Sequence, residues 1–172
     1  REKGYSATSM RDLADKVNLK ASSLYNHISS KEEILREICF ANAQRFEEGM
    51  QEVEQMQGSA SEKVRALLRL HIQIATEDVT SVTAFNDEWR HLNEPHLSEF
   101  KSMRRSYESR FQAIIEAGIN NREFKPLDSF TALYTIFSSV RWLYDWYKPE
   151  RKVTPEDLYE QISTLLMSGL EQ

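Results

Sequence analysis

Three groups of residues in this chain carry side chains capable of chemistry. The stretch NLKASSLYNHISSK, Asn18 to Lys31, holds Lys20, Ser22, Ser23, Tyr25, Asn26 and His27, with only Leu24 and Ile28 clearly apolar. Such a density of donors and acceptors on a short segment suits contacts to base edges and phosphates. Asp87 and His91 stand four residues apart, a spacing that puts two ligands on one face of a regular helix. His96 follows them, and Glu88 and His71 are further donors for a metal. The third group is His71, Phe85, Trp89, Tyr107, Phe111, Tyr134, Phe137 and Arg141, which recur at helical spacing. Aromatic surface interrupted by a few polar groups can line a pocket for an apolar ligand with a polar end, and Arg104 or Arg141 can pair with a carboxylate or phosphate there.

Each group has a plainer alternative. Residues 9–31 can be an ordinary helical hairpin, but a buried hairpin would not leave so many polar groups without partners. The aromatic stripes can be plain core, and Arg141 has Asp145 one turn on as a partner. Two metal ligands at helical spacing arise by chance and no cysteine assists, so no metal is assigned. A metal-dependent hydrolase would need an open coordination position and a base. No glycine-rich phosphate loop, strand-borne nucleophile or Ser/His/Asp set is present. The chain is therefore read as a binder with no catalytic residue and no cofactor, rather than an enzyme.

Bulk properties agree. The chain has 172 residues, 40% hydrophobic and 28% charged, with five Gly and four Pro. That is enough for a large core, and the absence of alternating stretches makes long helices the expectation. No run approaches the roughly 20 apolar residues that span a bilayer, so no membrane partner is expected. Cys39 is the single cysteine, which excludes an internal disulfide and fits a reducing cytoplasm. The net charge is −5, yet residues 1–31 hold Arg1, Lys3, Arg11, Lys16, Lys20 and Lys31 against Glu2, Asp12 and Asp15, a local +3. A chain that touches nucleic acid at one end would carry this asymmetry.

The elements that must position these residues can be read from caps and periodicity. Gly4 can stop an upstream helix. Ser9 with Asp12 fits a capping box opening a helix over about 9–17, and Asn18 ends it because asparagine tolerates the left-handed turn. A second short helix spans about 21–28. Ser30 caps a third, over about 31–56, with Glu33 at the capping-box position. QGSAS at 57–61 breaks the chain, and helices come next at about 60–78, 80–92, 96–120 and 127–148. The last of these is apolar on two sides: Phe130, Tyr134 and Phe137 on one, and Leu133, Ile136, Val140 and Leu143 on the other. TPED at 154–157 opens a final helix over about 155–170. The fold is expected to be all-α, with a helix-turn-helix unit at its start.

Gly4 to Leu35, GYSATSMRDLADKVNLKASSLYNHISSKEEIL, resembles the DNA-binding segment of the tetracycline-repressor family of bacterial transcriptional regulators. The likeness lies in Ser9-Met10-Arg11-Asp12-Leu13-Ala14, in Leu24-Tyr25-Asn26-His27, and in Ser30-Lys31-Glu32-Glu33. The resemblance implies that Arg11 reaches a base or phosphate, that Lys20, Ala21 and Ser22 approach bases, that Tyr25, Asn26 and His27 contact backbone or bases, and that Lys31 meets a phosphate. Asn18 stands where the family usually has glycine, Ala21 and Ser22 where polar or glycine residues often occur, and Ile28 where Phe or Val is common, which leaves the operator sequence open. It also implies a family first helix lying mostly before Arg1.

The expected organisation is a DNA-binding domain over 1–46 and a helical effector-binding and dimerisation domain over 47–172. Palindromic double-stranded DNA matches a two-fold dimer. Helices 127–148 and 155–170 would form the dimer interface, with Ser138, Ser139, Ser168 and Gly169 allowing close approach. The resemblance suggests effectors such as fatty or aromatic acids, their acyl-CoA thioesters, or amphipathic drugs. The expectation is a homodimeric repressor. The competing reading is a helical metal- or ligand-binding module with no DNA role.

Overall fold

The computed structural model describes residues 4–18, 30–148, 150 and 152–172. Lys20, Ala21, Ser22, Tyr25, Asn26 and His27, and with them the expected second helix, lie outside the described residues.

Local chemistry sets the helix starts. After a single turn, α1 (Gly4–Ala7), helix α2 (Met10–Lys16) opens on a full capping box. Ser9 Oγ accepts from the Asp12 amide at 3.1 Å and the Asp12 carboxylate accepts from the Ser9 amide at 2.8 Å. Two of the four orphan amides are thereby satisfied. Asn18 has φ 55°, the left-handed conformation expected of it. Ser30 Oγ accepts from the Glu33 amide at 3.1 Å and starts α3 (Lys31–Gln55).

Helix α3 is 25 residues long, about 37 Å at 1.5 Å per residue. It buries Leu35, Cys39, Ala43, Phe46, Met50 and Val53 along one stripe. Its first turn belongs to a small cluster in which Ile34 and Leu13 pack on Met10 and Ala14. The rest of the stripe joins the main core. One rigid rod thus enters two separate apolar clusters, and the expected boundary at 46/47 falls inside it.

Capping boxes at Ser59/Glu62 and Thr154/Asp157 open α4 (Ala60–Glu77) and the last helix. Regular helix then gives way. Where one helix was expected over 80–92, the chain forms α5 (Val79–Thr83), a π-helical turn over Ala84–Glu88 and a 3₁₀ turn over Trp89–His91. Helix α6 covers His96–Asn120. At its end the ring of Phe124 folds back so closely that a Cβ on Gly118 would lie 2.3 Å from it. The expected helix 127–148 is broken at Trp142 into α7 (Ser129–Arg141) and α8 (Leu143–Trp146), and α9 (Pro155–Leu170) completes the chain.

Helix α3 packs on α4 and α6, α4 on α9, and α6 on α7. Phe100, Phe111, Met50, Leu67, Leu68, Ile72 and Ile115 are among the fully buried side chains. Of the two apolar sides of α7, Leu133, Ile136 and Val140 are buried, whereas Phe130 stays 57% exposed. The fold is all-α among the described residues, with one isolated bridge between Phe124 and Glu171. No helix among them is long and apolar enough to cross a membrane.

Candidate functional site

Two regions draw on the predicted residues. In the N-terminal unit, Arg11 stands exposed on α2. Lys31, at the first position of α3, donates from Nζ to the Tyr5 carbonyl at 2.8 Å and lies 4.2 Å from the centroid of the Tyr5 ring. Tyr5 in turn meets the irregular segment: its amide donates to Glu88 Oε1 at 3.0 Å, and its ring stacks on His91 at 5.0 Å. Burial, with the charges of Glu32 and Glu88 adding to it, raises the Tyr5 phenol above its ordinary pKa. The Asn93 amide donates to Glu32 Oε1 at 3.2 Å. Sequence reasoning missed this latch because its partners lie more than 80 residues apart, as Tyr5 and Glu88 do, and no local signal links them.

The second region is a cavity of about 170 Å³ between α3, α4, the π turn, α6 and α7. His71, Phe85, Tyr107, Tyr134, Phe137 and Arg141 line it, as do Phe46, Asn86, Met103, Arg104 and Glu108. Phe46 lies at the centre of the ring cluster, 4.7 Å from His71, 5.4 Å from Phe85 and 5.6 Å from Tyr107. Nothing in the sequence separates Phe46 or Met103 from ordinary core positions of their helices. Two predicted residues lie elsewhere. Phe111 is fully buried behind the wall, edge-on to Phe137 at 5.6 Å. Trp89 packs on Phe100 at 5.8 Å, outside the cavity, and its buried indole N–H has no hydrogen-bond partner.

The electrostatics are graded with depth. His71 lines the cavity, and burial pushes its pKa down to about 3, so the imidazole is neutral. Its Nε2 lies 2.9 Å from the Tyr107 hydroxyl, whose pKa burial raises. Nearer the rim, the Arg104 guanidinium sits 5.1 Å from the Trp89 ring centroid and 3.9 Å from Glu108. Burial lowers its pKa, and the charges of Arg141 and Arg90 add to that while Glu108 opposes it.

The possible metal ligands are not brought together. Passing from π to 3₁₀ geometry between Asp87 and His91 removes the regular-helix register that would have aligned them. Asp87 accepts from the Tyr144 hydroxyl at 2.9 Å and lies 3.7 Å from Arg141. His91 pairs with Glu88 at 3.4 Å, and His96 with Glu99 at 3.6 Å. Among the described residues no group of three His, Cys, Asp or Glu side chains is placed to hold a metal. Cys39 is buried, and burial pushes its thiol up to about 12, as inert packing requires.

A shallow groove between α7 and α9 is lined by Leu127, Thr131, Thr135, Leu165 and Gly169. Leu165 is 77% exposed, and a Cβ on Gly169 would meet nothing within 4 Å.

Comparison with known proteins gives a consistent pattern. A sequence model described as a tetracyclin repressor-like C-terminal domain matches residues 57–170, and one described as bacterial regulatory proteins of the tetR family matches residues 1–38. The chain is 22% identical to the HTH-type transcriptional repressor KstR2 of Mycolicibacterium smegmatis, over 99% of its own length and 84% of the relative's. The ketosteroid transcriptional regulator KstR2 of Mycobacterium tuberculosis has a solved structure with a TM-score of 0.93 at 22% identity, covering 99% of this chain and 88% of that one. AibR in complex with isovaleryl coenzyme A and operator DNA matches with a TM-score of 0.82 at 23% identity, over 96% and 90%. At such identities the structural likeness establishes the fold.

Proposed function

The chain belongs to the tetracycline-repressor family of bacterial regulatory proteins, and from that premise we propose that it is a homodimeric repressor released from a palindromic operator by a small effector. In this reading the domains divide as 1–46 and 47–172. Arg11, Lys20, Ala21, Ser22, Tyr25, Asn26, His27 and Lys31 face the duplex, and the effector binds in the aromatic cavity. The protein acts in the cytoplasm by binding rather than catalysis. The isovaleryl coenzyme A held by AibR makes acyl thioesters a class to test beside free acids and neutral amphipaths. The exposed Leu165 and the open space at Gly169 support α7 and α9 as the dimer face.

One observation carries the coupling. Phe85 and Asn86 line the cavity, and two to five residues later Glu88 and His91 hold Tyr5 of the N-terminal unit. Helix α3 spans the same two regions, lining the cavity with Phe46 and holding Tyr5 through Lys31. An effector that displaces Phe85, Asn86 or Phe46 therefore acts on elements already bonded to the DNA-binding end. If it prefers the geometry that separates the two recognition units, it lowers operator affinity by the reciprocal factor, a coupling of about 1–3 kcal/mol.

Fluorescence anisotropy with palindromic duplexes from the DNA upstream of its own gene tests the proposal. The expected result is saturable binding of one duplex per dimer, reversed by an effector. A dimer that binds none of these duplexes above non-specific affinity overturns it.

A further inference from the structure

The cavity carries polar groups at two depths, and they differ in kind. At the inner end His71 and Tyr107 form a neutral pair, 2.9 Å apart. Such a pair keeps one free function whose sense depends on the tautomer. If the phenol donates to Nε2, its oxygen accepts from a ligand hydroxyl. If Nε2–H donates to the phenol oxygen, the phenol is free to donate to a ligand carbonyl.

At the outer end Arg104 is 30% exposed. Among the described residues its one carboxylate neighbour is Glu108 at 3.9 Å, beyond hydrogen-bond reach, and it donates no hydrogen bond. Arg141 lies 3.5 Å from the Asn86 carbonyl and 3.7 Å from Asp87, and it also meets the Tyr144 side chain, contacts that leave part of its five-donor fork unused. Of the two acids of the wall, Glu47 accepts from Arg110 at 2.6 Å, while Glu108 accepts from the Tyr134 hydroxyl at 3.3 Å and faces Arg104 at 3.9 Å without a direct hydrogen bond. The rim therefore holds two cations with unused donors.

Between the ends the wall is aromatic, and the space is about 170 Å³. An apolar cavity of about 150 Å³ takes a body the size of benzene, so the enclosed part of this one holds a single ring-sized or short branched body.

Building on the reading of this cavity as the effector site, the geometry points to an effector of defined build. It has one ring-sized or short branched apolar body, an anionic group at Arg104 and Arg141, and a ketone or hydroxyl at the His71–Tyr107 pair. Arg104 and Tyr107 are then specificity residues of independent effect, one for charge and one for the neutral oxygen.

Isothermal titration calorimetry on the full-length dimer tests this with five probes: 3-(4-oxocyclohexyl)propanoate, its methyl ester, 3-cyclohexylpropanoate, hexadecanoate and 2-cyclohexylethylammonium. The keto acid should bind most tightly, by roughly threefold to tenfold over both its ester and the deoxy acid, the worth of one net hydrogen bond. Arg104→Gln should lower the acid-to-ester ratio severalfold, with the remainder carried by Arg141, and keep the preference for the ketone. Tyr107→Phe should do the reverse, and as a conservative change in the core it guards against a folding artefact. Arg104→Lys should restore part of the acid preference. Binding without these ratios, or tighter binding of hexadecanoate or the ammonium probe, overturns the two-ended effector but leaves the cavity as the site. No heat from any of the five overturns the cavity assignment itself.

Discussion

Arg110 ties α6 to α3, and replacing it with Met should cost the fold about 1–2 kcal/mol at neutral pH and little in acid. Its Nε and Nη2 donate to the two oxygens of Glu54 at 2.7 and 2.6 Å, and its Nη1 donates to Glu47 at 2.6 Å. Hydrogen bonds to charged groups contribute about 1.5–3 kcal/mol when protected from water. These side chains are 24–42% exposed, and exposed ion pairs give only about 0.2–1 kcal/mol each. Three bonds in a network with bidentate geometry, discounted for solvent, come to about 1–2 kcal/mol, or about 2–8 °C in Tm for a chain of this length. Methionine keeps the apolar stem, so the loss reports charge and not packing.

The pH dependence has a definite sign. Hydrogen bonds from Arg110 hold both Glu47 and Glu54 below the ordinary carboxylate pKa. A carboxylate with a depressed folded pKa contributes its stability above its unfolded pKa, about 4.3, and loses it as pH falls through the folded value. The difference between wild type and Arg110→Met should therefore be full at pH 7 and shrink steadily below about pH 4. Urea unfolding at one fixed protein concentration, at pH 7 and pH 3.5, in low and high salt, measures it. An equal loss at both pH values would show that the guanidinium acts through packing, and no measurable loss at pH 7 would show that the network contributes nothing net.

Operator binding should weaken steeply with salt: Arg11 and Lys31 on phosphates from two protomers give a slope of about −4 in log K against log salt, and a flat dependence contradicts the electrostatic footprint. Tyr25→Ala or His27→Ala should reduce operator affinity by about 1–3 kcal/mol with an unchanged Tm, and unchanged affinity refutes their role. Leu165→Glu should convert the dimer to monomer in sedimentation, weakening association about a hundredfold or more because the two-fold repeats each loss; a persisting dimer places the interface elsewhere. Trp89→Phe should leave effector response intact and change stability by less than about 1 kcal/mol, since it removes a buried donor without a partner along with some apolar surface. A lost response would return Trp89 to the ligand wall.

The features legible in the sequence were local. Ser9 with Asp12 and Thr154 with Pro155 and Asp157 cap within four residues of each other, so their spacing alone predicts the helix starts. Asn18 announces its own left-handed turn. The types of the cavity residues were legible too, but not which faced inward. Phe85 and Trp89 sit four apart and would share a regular helical face, yet only Phe85 reaches the cavity. The π turn rotates the residues after it, and its Phe85 packs against Phe46 at 5.4 Å and Phe100 at 5.5 Å, rings from α3 and α6 that lie far away in sequence. The same rotation undid the Asp87–His91 pairing, since no local propensity signals where a helix will widen.

That irregular segment is where the proposed switch has physical content. A regular α-helix of the same length would transmit displacement stiffly. A π turn instead holds its poorer hydrogen bonds only because neighbouring contacts favour it, and such turns recur at functional sites. Here those contacts divide between the two ends of the molecule. Phe85 and Asn86 answer to the cavity, with the Asn86 carbonyl facing Arg141, while Glu88 and His91 answer to Tyr5. An effector drawing Arg141 toward its anion would loosen the Asn86 contact and remove one constraint on the turn. The end bonded to Tyr5 could then relax toward regular helix, and two discrete arrangements of one short segment are what a two-state coupling requires.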